Sequence, residues 1–69
     1  GVVAGVPDLF IPVAMQGFHG MYIEMKNGKA GKVSKEQKKI IEMLENFGYK
    51  VVICRDFDQF MKEVDEYFS

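Results

Sequence analysis

Three residues carry the chemistry that this sequence offers: Asp8, Glu24 and Lys26. Two carboxylates and an ammonium, brought together, can hold a hard divalent cation and steady negative charge on a phosphate. Asp8 and Glu24 lie far apart along the chain, so only folding can join them, and a β-hairpin would do it. If the turn is centred near Gln16, Asp8 falls opposite Glu24, and directly opposed residues have Cβ atoms ~5 Å apart. Lys26, two residues beyond Glu24, shares that face. The other face collects Leu9, Ile11, Val13, Met21, Ile23 and Met25 and is expected to be core. A slip of one residue would push all three charges into that core, so this register is favoured.

Two carboxylates at that separation repel unless a cation sits between them or one is protonated. Mg²⁺ or Mn²⁺ takes carboxylate, carbonyl and water oxygens, and the backbone carbonyl of Met25 could add one to those of Asp8 and Glu24. Lys26 could orient an attacking water or stabilise charge on a phosphate. The alternative is a solvated sheet face with an ordinary ion pair, and spacing alone leaves both readings open.

The elements that must position these residues follow from local pattern. Gly1 to Pro7 is an irregular lead-in, punctuated by glycine and proline. Asp8 to Val13 is a short strand, Ala14 to His19 holds the turn, and Met21 to Lys26 is a second, alternating strand. Asn27 to Val33 is a loop rich in glycine and lysine. Ser34 opens a helix with the capping-box spacing to Gln37, an apolar stripe of Ile40, Ile41, Leu44 and Phe47, and Gly48 as terminator. Tyr49 to Cys54 is nearly continuous apolar sequence, the pattern of a strand covered on both faces. Asp56 and Gln59 repeat the cap spacing, and Phe57, Phe60, Met61, Val64 and Phe68 mark a second amphipathic helix. The order β-β-α-β-α predicts an α/β fold: a mixed three-stranded sheet, an antiparallel hairpin plus a parallel crossover strand, with helices packed on it.

Composition agrees with one small folded domain. The 69 residues are 48% apolar and 28% charged, which excludes a disordered or collagen-like chain. No apolar run approaches a membrane span, and the single cysteine, which permits no internal disulfide, fits a reducing, cytoplasmic setting. The net charge of −1 hides an asymmetry. Lys26, Lys29, Lys32, Lys35, Lys38 and Lys39 make a basic middle, whereas Asp56 to Ser69 carries five acids and only Lys62. A basic region beside a carboxylate site suits contact with a phosphate backbone, and Lys29, Lys32, Lys35 and Lys38 are the candidates for it.

The string GVPDLFIP, followed by IEMK and then SKEQKKIIEMLENFGYKVVICRDFD, resembles a VRR-NUC domain, the virus-type replication-repair nuclease branch of the PD-(D/E)XK superfamily. Pro7-Asp8 matches the PD half, Glu24-Met25-Lys26 the E-x-K half, Ser34 and Glu36-Gln37 the start of the following helix, and Gly48-Tyr49 the lead into the next strand. The resemblance implies an endonuclease dependent on Mg²⁺ or Mn²⁺, with Asp8 and Glu24 as metal ligands, Lys26 as catalytic lysine and Gln37 as a polar active-site residue. It implies DNA as partner, branched DNA and four-way junctions included, acted on by a homodimer in the cytoplasm of a bacterial or phage-infected cell. The family core, restriction-endonuclease-like, normally begins with a helix bearing another acid. Residues 1–69 are thus expected to be a single nuclease domain whose N-terminal part is incomplete.

Helical spacing places Gln37 on the stripe of Ile40, Ile41 and Leu44, toward the sheet. Gln37 could instead simply close the cap, and the two roles are compatible. His19 falls at the far end of the hairpin from the carboxylates and Cys54 ends a buried strand, so neither is expected to react. Phe10 and Tyr22, on the charged face, could stack on a base or merely flank the site. Two other readings compete with the nuclease: a binding module that uses the lysines without turnover, and a domain whose basic loop meets an acidic protein.

Overall fold

The computed structural model describes residues 5–26 and 31–69. Strands β1 (Leu9–Ile11) and β2 (Met21–Met25) are followed by helix α1 (Lys35–Asn46), strand β3 (Lys50–Cys54) and helix α2 (Phe57–Phe68). The sheet order is β1-β2-β3, with β1 antiparallel and β3 parallel to β2. This is the mixed α/β sheet and the β-β-α-β-α order that the sequence predicts.

Leu9 pairs with Ile23, Phe10 with Tyr22 and Ile11 with Met21, so Asp8 is in register with Glu24. β1 is shorter than the expected span of Asp8 to Val13, because Pro12 has no N–H to continue the ladder. At the tip, Gln16 (φ 54°) and Gly17 (φ 85°) both take the left-handed backbone that tight hairpin turns require, and Phe18 N–H donates to the Met15 carbonyl at 2.8 Å. Between the pairs Ile11–Met21 and Met15–Phe18, the three residues Pro12, Val13 and Ala14 oppose only His19 and Gly20, a bulge-like mismatch.

Ser34 caps α1 through the reciprocal box with Gln37. At the other end, Gly48 N–H donates to the Glu45 carbonyl and Tyr49 N–H to the Leu44 carbonyl, while Gly48 (φ 93°) turns the chain left-handed into β3. Asp56 caps α2 by accepting the Gln59 N–H at 2.7 Å.

The core is Met21, Ile23, Cys54 and Tyr67, with Ile11, Met15, Phe18, Met25, Val52, Phe60 and Val64 packed around it. Here the structure corrects several expectations. Leu9 and Val13, assigned to the buried hairpin face, are exposed: Leu9 lies on the edge strand and Val13 beyond its last residue. Phe57 (67% exposed), Met61 and Phe68 form an outward stripe on α2, and Tyr67 takes the inner position with Phe60 and Val64. Its ring fills the core while its hydroxyl donates to the Val13 carbonyl at 2.5 Å, which satisfies the polar end of a buried residue. On α1, Leu44 is buried but Phe47 is 66% exposed, since it is already the C-cap. β3, expected to be covered on both faces, is fully buried only at Cys54.

α2 packs on the sheet face that carries Met21, Ile23 and Cys54. Alternation puts Tyr22, Glu24 and Lys26 on the opposite face, and the first turn of α1 reaches over that one. Among the described residues, no helix is long and apolar enough to cross a membrane.

Candidate functional site

Asp8 and Glu24 meet across the end of the hairpin. Asp8 N–H donates to Glu24 Oε2 at 3.2 Å, and Met25 N–H donates to Asp8 Oδ2 at 3.1 Å. Extending the register would set buried Pro7 opposite Met25, and proline has no N–H to offer the Met25 carbonyl. The Asp8 carboxylate takes up the Met25 N–H where the ladder stops, one residue before β1, whereas the Met25 carbonyl gains no donor from Pro7.

Gln37 binds the rest of the cluster from α1. Its Nε2 donates to Glu24 Oε1 at 2.7 Å, and its Oε1 accepts from Lys26 Nζ at 2.9 Å and from Ser34 N–H at 3.0 Å. One side chain therefore closes the helix cap and reaches the cluster, as the two compatible roles require. Lys26 Nζ also lies 3.4 Å from Glu24 Oε1, and its backbone N–H donates to the Cys54 carbonyl at 2.9 Å, fixing the chain just past β2.

Glu24, for which a solvated sheet face is the alternative reading, is only 7% exposed. α1 covers it, and a buried carboxylate is tolerated because donors surround it: Asp8 N–H, Gln37 Nε2 and the Lys26 ammonium. Asp8 remains exposed.

Among the described residues, no three of His, Cys, Asp and Glu gather into a cage. Asp8 and Glu24, with the Met25 carbonyl, would offer oxygen donors alone, a chemistry that suits a hard divalent cation such as Mg²⁺. Such ions keep several waters and take one or two carboxylates together with substrate phosphates, whereas a site for zinc would want histidine or cysteine.

Lys32, Lys35 and Lys38 are exposed along the approach to α1 and on its first turns, and Lys29 lies outside the described residues. Arg55, which drew no attention in the sequence, donates from Nη1 to the Gly31 carbonyl at 2.7 Å and so fixes the end of the lysine-rich loop to the end of β3. No spacing rule signals such a contact, because its acceptor is a backbone atom. His19 stands apart from the carboxylates, with its N–H donating to the Gly48 carbonyl and its ring against Tyr49. The Cys54 thiol is raised above its ordinary value of 9.0 by burial, then by the nearby charges of Glu63 and Asp56, which keeps it protonated and inert at neutral pH.

The fold and the cluster together define a small α/β domain with two carboxylates and a lysine gathered at one end of its hairpin. Residues 1–57 match the family model described as VRR-NUC domain. The chain is also similar to a solved protein described as a VRR_NUC domain protein, with 37% identity and a TM-score of 0.92 over 99% of this chain and 56% of that one. It thus spans little more than half the length of that relative. No curated protein matches the chain. The chain belongs to the VRR-NUC domain family, a family of nucleases.

Proposed function

We propose that this domain is a metal-dependent endonuclease that hydrolyses phosphodiester bonds in branched DNA, four-way junctions included. The observation that carries this reading is the closed cluster of Glu24, Lys26 and Gln37 beside Asp8, a carboxylate pair with a fixed cation on one sheet face.

Asp8 and Glu24, with the Met25 carbonyl, would hold Mg²⁺ or Mn²⁺. When bound, such an ion supplies Lewis-acid charge and lowers the pKa of its water. Lys26 stands beside the carboxylates, where its ammonium stabilises charge that develops on the phosphate. Gln37 is a positioning residue, since it grips the ammonium through Oε1 and the carboxylate through Nε2. Lys29, Lys32, Lys35 and Lys38 contact the phosphate backbone and supply affinity rather than chemistry.

We assign the acting species as a homodimer, because Leu9, Val13, Phe47, Phe57, Met61 and Phe68 leave much apolar surface exposed and paired cuts need two sites. Its setting is the cytoplasm of a bacterial or phage-infected cell, where the DNA is. Incubation with plasmid, duplex and four-way-junction DNA, with Mn²⁺ or with chelator, tests the reading. Cleavage that requires the metal is expected. Binding that ignores chelator, without cleavage, would leave a DNA-binding module in its place. Sedimentation as a monomer at tens of micromolar would remove the homodimer alone.

A further inference from the structure

The sheet face that holds the carboxylates continues into an aromatic shelf. Phe10 and Tyr22, a cross-strand pair, stack with ring centroids 4.4 Å apart and planes 25° from parallel. Tyr49 closes the shelf edge-on, 5.4 Å from Tyr22 and 6.0 Å from Phe10. Gly20 makes room for it, since a Cβ there would lie 2.8 Å from the Phe10 ring. Stacked on Tyr22, Phe10 is still 45% exposed. Tyr22 and Tyr49 are only partly buried.

We propose that Phe10 stacks on an unpaired base of the strand whose phosphate lies at Lys26. The inference rests on the nuclease reading and names its substrate more closely: DNA with an unstacked nucleotide next to the cut. Phe10 and Tyr22 stand two residues from Asp8 and Glu24 on the same face, about 7 Å along the strands. That is a nucleotide or two of DNA, which rises about 3.4 Å per step in a duplex. A base inside a duplex has both faces covered by its neighbours and cannot use the shelf. A splayed base at a branch point has a free face, and aromatic side chains hold such bases by stacking. The two tyrosine hydroxyls supply donors for the sugar and phosphate of that nucleotide. Continuity with the phosphate-binding cluster favours a nucleotide over a protein segment as the occupant.

The test is forked DNA carrying 2-aminopurine at the branch, bound in Ca²⁺ by the parent chain, Phe10→Leu and Phe10→Trp, with cleavage in Mn²⁺ measured alongside and thermal unfolding as the check on folding. The parent and Phe10→Trp are expected to quench the fluorescence. Phe10→Leu is expected to lose the quenching and raise the KM for forked DNA about tenfold, with affinity for blunt duplex unchanged. Equal quenching by Phe10→Leu, or an equal loss of affinity for forked and blunt DNA, would overturn the shelf. Quenching by folded parent protein that cuts no DNA would overturn the nuclease reading and leave the shelf standing. Should Phe10→Leu fail to fold, Phe10→Trp decides: loss of quenching by that folded variant overturns the shelf.

Discussion

Gln37 Oε1 accepts a hydrogen bond from Lys26 Nζ at 2.9 Å while the same atom accepts the Ser34 N–H at 3.0 Å. The start of helix α1 and the end of strand β2 are thereby tied through one oxygen. A lysine on a flexible stem loses conformational freedom when it is held this way, and the helix cap meets that cost in advance.

Separating the two roles of Gln37 is straightforward. Ser34→Ala removes only the cap and should cost about 1 kcal/mol of stability, with the single-turnover rate nearly kept. Gln37→Ala should cost a similar amount and also lower that rate by about tenfold or more, since Lys26 and Glu24 lose their shared partner. Urea unfolding and single-turnover cleavage of the two variants measure the split.

Glu24→Gln places an amide where donors already converge, so it should destabilise the metal-free protein by roughly 1–3 kcal/mol. Asp8→Asn, at an exposed position, should cost less. Both variants should lose the rise in melting temperature that Mn²⁺ gives the parent, and both should lose cleavage. Lys26→Met should keep the thermal shift and lose cleavage, because a cation is no ligand. Differential scanning fluorimetry against Mn²⁺ concentration separates these outcomes.

Replacing Lys32, Lys35 and Lys38 together by Ala should weaken DNA binding and flatten its salt dependence, lowering the slope of log K against log salt by roughly 3. The rate at saturating DNA should stay within about twofold. Titrations at several salt concentrations, paired with single-turnover rates, check both halves.

Cys54 gives the fold a pH dependence. Its folded-state pKa is raised by burial, with Glu63 and Asp56 adding to the effect. The stability that it contributes is therefore full below the unfolded value and lost as pH rises through the folded one. Unfolding free energy should fall as pH climbs above about 9. Cys54→Ala should be less stable at neutral pH, through a small cavity, but should lose less on going alkaline. Urea denaturation between pH 7 and 10 would show the two curves converging.

Much of this was legible along the chain because it depends on neighbours a few residues away. Both caps, the Gly48 terminator, the element order and the pairing of Asp8 with Glu24 follow from local chemistry and from the period of a strand. Two-residue alternation in β2 carries the register, since any slip would exchange Ile23 for Glu24 at the core.

What tertiary structure decided is which of several equally periodic surfaces met a partner. α2 carries two apolar stripes, and only docking against Met21, Ile23 and Cys54 selects Tyr67, Phe60 and Val64 over Phe57, Met61 and Phe68. Burial of Glu24 was equally out of reach, because α1 covers it through Gln37, 13 residues further along, on the face opposite α2. Spacing could bring Glu24, Lys26 and Gln37 to one side of the sheet. Their joining into a single hydrogen-bonded cluster depends on where the first turn of α1 lands, and packing against β3 sets that position, because periodicity fixes a residue's direction about its own axis but not the distance between two elements.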